Sequence, residues 1–109
     1  MIIANVKIKV APEKRDTVLE ILYSLLEPIR VIPGCVNCNL YQDLENKNVL
    51  CYSEIWQSQM ALDRHIISDL YQNILFAMDM GNEPPEIEFN TVTNSFGMEI
   101  IETLRGRLN

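Results

Sequence analysis

Three groups of residues have types and spacings that chemistry can use. In "PGCVNCN", Pro33 to Asn39, Cys35 and Cys38 have the Cys-x-x-Cys spacing of redox dithiols and zinc clips. "CYSEIW" holds Tyr52, Glu54 and Trp56, and His65 is the only histidine. A partly desolvated carboxylate favours its protonated form and suits a general base. An imidazole can shuttle a proton or hold a substrate oxygen. Trp56 and Tyr52 offer flat walls to a planar ligand, each with a polar tip. Each group also has a plainer use. The thiols can be small packing residues, Glu54 can pair structurally with Arg64 or His65, and the aromatics can simply fill a core. The sequence has no Ser-His-Asp set, phosphate loop or dinucleotide fingerprint.

What these residues can do depends on the elements that carry them. "IIANVKIKV" alternates, with Ala4, Val6, Ile8 and Val10 on one face and Asn5, Lys7 and Lys9 on the other. Period two marks a half-buried strand. Pro12 suits a first helical turn, where its missing N–H costs nothing. Val18, Ile21, Leu22, Leu25, Leu26 and Ile29 then follow helical spacing. Pro28 is expected to kink or end that helix, and Pro33-Gly34 to stop it. Strands follow from about Cys35 to Asp43 and from Val49 to Trp56, joined by the polar "LENKN" as a hairpin. Ser58 is the expected N-cap of a short helix. Ile67, Leu70, Tyr71, Ile74, Leu75 and Met78 mark a second amphipathic helix that Gly81 ends. "IEFNTVTN" reads as a last strand, and "SFGMEIIETLRGRLN" is too apolar for a free terminus, with Phe96, Met98, Ile101, Leu104 and Leu108.

The order is βαββαβ, an α+β ferredoxin-like arrangement: an antiparallel four-stranded sheet with helices on one face. A domain over residues 1–95 and an apolar tail over 96–109 are expected. Nothing in the chain is left to cover the other sheet face, which is expected to carry Cys35, Tyr41, Val49, Cys51 and Ile55. That face and the tail point to a second subunit.

A hairpin turning near Asn46 sets Tyr41 opposite Cys51 and Cys38 opposite Glu54. Val36, Cys38 and Leu40 then lie beside Leu50, Tyr52, Glu54 and Trp56 on the more apolar face, assigned to the helices. Alternation sends residues three apart to opposite faces, so Cys35 and Cys38 are expected not to share a metal or a disulfide. Cys38 and Cys51 are likewise separated, and no metal site is expected.

The chain has 109 residues, enough for one domain. A net charge of −6, with nine basic residues scattered among fifteen acids, argues against a nucleic-acid groove. No apolar run reaches the ~18 residues of a membrane span. "MIIANVKIKV" is a poor signal peptide, and three cysteines make a poor disulfide framework. A cytoplasmic location is expected.

"PGC", "LYQD" and "YSEIWQSQMALDRHIISDLYQ" resemble the antibiotic biosynthesis monooxygenase family. Its Glu-x-Trp strand end, Ala-Leu-Asp-x-His and Ser-x-x-Phe/Tyr match Glu54, Trp56, Ala61, Leu62, Asp63, His65, Ser68 and Tyr71. The resemblance, over about residues 1 to 94, implies a dimeric α/β barrel with a pocket between sheet and helices in each subunit. Some members oxygenate quinols or anthrone-like aromatics with dioxygen and no cofactor. The departures are specific. Of three residues used by a polyketide-oxygenating relative, the tryptophan is Trp56, but an asparagine is Tyr52 here and a tyrosine is Leu62. Cys38 stands where relatives often have tyrosine. Haem-degrading cousins use three positions that are Val6, His65 and Leu75 here, and Asn5 is one residue out of register.

The resulting expectation is a cofactor-independent oxygenase, homodimeric, acting on a small aromatic or quinol with dioxygen. His65 and Glu54 would be catalytic, and Trp56, Tyr52, Cys38, Val6 and Leu62 would line the substrate. The alternative is a non-catalytic ligand-binding or sensing dimer on the same scaffold.

Overall fold

A computed structural model describes residues 1–107. Strand β1, Ile2–Lys9, buries Ile2, Ala4, Val6 and Ile8 and turns its alternate residues outward. A single 3₁₀ turn, Pro12–Lys14, leads into helix α1, Arg15–Arg30, whose buried stripe is Val18, Leu22, Leu25, Leu26 and Ile29. Pro28 does not end α1 early. It lies in the last turn, so only the bond to the Ser24 carbonyl is lost, and the helix runs on to Arg30.

Strands β2, Cys35–Gln42, and β3, Val49–Trp56, form the expected hairpin, with Cys38 opposite Glu54 and Tyr41 opposite Cys51. One feature escaped the alternation rule. Cys35 pairs with Trp56 and Asn37 with Ile55, so Val36 is an extra residue, a β-bulge. The bulge resets the faces. Val36, expected under the helices, is 50% exposed, and Cys35, expected on the open face, packs against the core. The opposite-face argument for Cys35 and Cys38 therefore fails. All three thiols are free, and no group of three or more His, Cys, Asp or Glu that could hold a metal occurs among the described residues.

Helix α2, Gln59–Ile66, starts at Ser58, whose Oγ accepts from the Ala61 N–H at 3.2 Å. Helix α3, Tyr71–Asp79, begins later than the apolar spacing implied. Ile67 instead closes α2 through its N–H to Asp63 and is 84% exposed. Strand β4, Glu86–Thr91, completes an antiparallel sheet of order β2-β3-β1-β4. Helices α1, α2 and α3 pack on one face, and the hydrophobic core lies between them and the sheet. The result is the ferredoxin-like βαββαβ fold. Helix α4, Met98–Gly106, forms the tail and buries no residue; Leu108 lies outside the described residues. No helix among the described residues is long and apolar enough to cross a membrane.

Candidate functional site

The hairpin and α2 bring the chemistry-bearing residues together. Tyr52, Glu54 and Trp56 are alternate residues of β3 and so share the helix-covered face. His65 comes one helical turn after Ala61 in α2 and lies over them. Glu54 is the hub. Its Oε1 accepts from the Trp56 indole N–H at 3.0 Å. Its Oε2 accepts from the Tyr52 hydroxyl at 2.5 Å and lies 2.8 Å from His65 Nε2. The Cys38 thiol donates to the Tyr52 oxygen at 3.2 Å, which leaves the phenolic proton for Glu54. Exposure is 2% for Glu54, 1% for His65 and 0% for Trp56, so this polar group is enclosed by core. The Trp56 and His65 rings lie 4.7 Å apart, and Tyr71 meets His65 edge-on at 5.2 Å.

The electrostatics agree with those donor roles. Burial, more than any other influence, pushes the Cys38 thiol up to about 11, and the Glu54 charge adds to it. Burial also raises Tyr52 far above the usual phenol range, with the Glu54 charge as the next cause. Tyr71 is raised for the same two reasons. These groups keep their protons; Tyr52 presents its own to the acid, and Cys38 presents its own to the Tyr52 oxygen. With the indole and phenol as donors, Glu54 is an acceptor at both oxygens. A neutral imidazole then carries its proton on Nε2, facing Glu54, and a lone pair on Nδ1. Among the described residues, His65 Nδ1 is the buried side-chain nitrogen or oxygen without a partner.

Of the other expected lining residues, Val6 is the β1 partner of Tyr52 and Leu62 is a fully buried residue of α2. Arg64, the other candidate partner of Glu54, points instead to the Met60 sulfur at 3.1 Å. Tyr71 is the neighbour that residue-type reasoning passed over; its place in Ser-x-x-Tyr, at the start of a helix, was the available signal. The layer beneath the helices, where the resemblance implies a pocket, is filled by these side chains. A concavity of about 460 Å³ lies elsewhere: its lining pairs the open-face residues Asn5, Lys7, Cys51, Glu86 and Glu88 with Val6, Tyr52 and Ile87 of the row between, and includes no helix residue.

A ferredoxin-like sheet with an acid, an indole and an imidazole gathered under its helices has the architecture of the dimeric α/β-barrel proteins. Residues 1–75 match the family model described as antibiotic biosynthesis monooxygenase, and the chain belongs to that family. It is similar to a conserved protein from Methanosarcina mazei Go1, at 31% identity and a TM-score of 0.76, covering 82% of this chain and 89% of that one. It shares its fold with the crystal structure of an antibiotic biosynthesis monooxygenase, at 20% identity and a TM-score of 0.77, covering 86% of this chain and 100% of the other. An uncharacterized protein of Synechocystis sp. is 27% identical over 89 residues, or 81% of this chain. The match spans 60% of that relative's length.

Proposed function

We propose that the protein is a monooxygenase that oxidises a small electron-rich aromatic or quinol with dioxygen and uses no cofactor. His65 is the proton acceptor, through Nδ1, and Glu54 orients it through Nε2. The observation that carries this reading is the pairing of a buried, unpartnered His65 Nδ1 with a Glu54–Nε2 contact of 2.8 Å. An acid behind an imidazole selects its tautomer and stabilises the imidazolium once a proton arrives. Trp56 supports the substrate ring, Leu62 and Val6 are apolar walls, and Tyr52 with Cys38 holds Glu54 in place.

The chemistry balances without another reductant. For an anthrone-like ring, the methylene and one dioxygen become a ketone and one water, and the substrate supplies all four electrons. His65 takes the enol or phenol proton, and the anion passes one electron to dioxygen. The radical pair joins as a carbon-bound peroxide, which recovers the proton. Loss of the remaining C–H proton expels hydroxide, which leaves as water. A dry aromatic site protects the peroxide.

Oxygen uptake with a panel of hydroquinones and anthrols tests this. Wild type should consume oxygen, and His65→Ala and Glu54→Gln should each lower kcat/KM by about 10²-fold or more, the scale of lost general-base catalysis. No uptake with any substrate, or variants equal to wild type, would remove the proposal. A second reading, a binding or sensing dimer without turnover, is supported by two departures from the oxygenating relative: Tyr52 and Leu62 stand where it has an asparagine and a tyrosine. A hydroquinone that raises the melting midpoint but is never oxidised would favour it.

A further inference from the structure

The Glu54 carboxylate does more than face an imidazole. It holds the protons of two oxidisable side chains. Tyr52 Oη donates to Glu54 Oε2 at 2.5 Å, and the Trp56 indole N–H donates to Oε1 at 3.0 Å. The Tyr52 oxygen in turn accepts from the Cys38 thiol at 3.2 Å. Tyr52 and Glu54 are each 2% exposed, and Cys38 is fully buried. His65 reaches Glu54 directly at 2.8 Å, so base chemistry gives the phenol no reaction of its own.

Loss of an electron turns a phenol into a strong acid. The electron therefore leaves most easily where a base already holds the proton. Water takes that proton at the surface; in a core a built-in acceptor must do so, since an isolated charge there is costly. Of the four tyrosines in the chain, Tyr52 is the one whose hydroxyl a carboxylate accepts among the described residues. Tyr23 and Tyr41 are exposed. Burial holds the Tyr52 proton far above the usual phenol range, so the proton does not leave first. Electron and proton must go together, and a short O–H···O contact to a carboxylate is the geometry for that. The asparagine that the oxygenating relative has at this position offers no such electron.

We propose that Tyr52 is a redox-active tyrosine, a buried one-electron donor to oxygen-centred radicals formed beside His65. The radical pair of the oxygenation can separate before it joins. The carbon radical then adds a second dioxygen and becomes a peroxyl radical. Tyr52 gives it one electron, and the His65 imidazolium gives it a proton from Nδ1, so it leaves as a hydroperoxide. The Tyr52 O–H bond breaks, its proton crosses to Glu54 Oε2, and a neutral phenoxyl radical remains. That oxygen keeps the Cys38 hydrogen bond, so it is not left bare in the core. The origin of the peroxyl radical rests on the reading of Glu54 and His65 given above; the redox behaviour of Tyr52 does not.

The test uses full-length protein and no substrate. A Tyr23→Phe, Tyr41→Phe, Tyr71→Phe variant keeps Tyr52 as its single tyrosine. It is oxidised with flash-generated tris(bipyridine)ruthenium(III), frozen, and examined by electron paramagnetic resonance. A neutral tyrosyl radical is expected, with a hyperfine pattern that ring-deuterated tyrosine collapses and that Tyr52→Phe abolishes. No radical, or one confined to Trp56, overturns the proposal. Glu54→Gln in the same background should slow radical formation about 10²-fold, the scale of proton transfer to a positioned base. An equal rate overturns it. The background variant itself should react more slowly in deuterium oxide, because the bridging proton moves with the electron. Equal rates in the two solvents overturn the proposal even where the Gln variant fails to fold. Oxygen uptake is read separately. A Tyr52 radical in a protein that consumes no oxygen keeps this site and removes the oxygenase; uptake without the radical does the reverse.

Discussion

Cys38 is a thiol held among apolar groups, and burial pushes it up to about 11 from an ordinary 9.0. In the unfolded chain the thiol ionises near the ordinary value, while the folded protein keeps its proton. Between these two values the unfolded state binds fewer protons, so stability falls as pH rises. The stabilisation present below pH 9.0 is lost progressively up to about 11, roughly 2 to 3 kcal/mol from this group. Cys38→Ala should flatten that decline, read as urea midpoints between about pH 8 and 11. Parallel profiles for the two proteins would show that the thiol is not responsible. Tyr52 is raised in the same direction and adds its own loss above the phenol range. The inward placement of Tyr52, Glu54 and Trp56 was legible because strand alternation is a local rule. The reversed positions of Cys35 and Val36 were not, because a single extra residue in one strand leaves no mark on hydrophobic spacing.

At the scale of elements, α2 owes its seat to Gly34. This glycine has φ of +92°, and a Cβ there would come 2.5 Å from Ala61 Cβ. Its carbonyl also accepts from the Gln57 N–H at 2.8 Å, tying the start of β2 to the end of β3. With Ala61 against that bare backbone, the next turn of α2 sets His65 over Trp56 and Glu54. Gly34→Ala combines left-handed strain with a collision against the Ala61 methyl, so a loss of about 2–4 kcal/mol in chemical denaturation is expected, together with weaker near-ultraviolet signal from Trp56. Unchanged stability would mean that α2 is seated by something else. The sequence marks Pro33-Gly34 as a helix stop, and that holds. The contact with Ala61 joins segments far apart in the chain, and no local pattern reports it. Ile67 is a similar case: its spacing fits the apolar stripe of α3, but the corner between α2 and α3 takes it out of the helix.

For the whole molecule, assembly into a dimer of the family's type would make folding and association one process. The thermal midpoint should then rise with protein concentration, by several degrees for about a hundredfold change. A midpoint independent of concentration would point to a self-sufficient single chain. The sequence by itself determined the order of the elements, the hairpin register and the inward face of β3, since periodicity, turn residues and caps act over neighbouring positions. It also exposed the surplus of apolar residues in the tail. Only the tertiary structure decided that Tyr52, Trp56 and His65 all converge on Glu54, that His65 Nδ1 is left without a partner, and that the helical cover ends before β4. Those outcomes depend on distances between elements remote along the chain, which packing sets and sequence spacing does not encode.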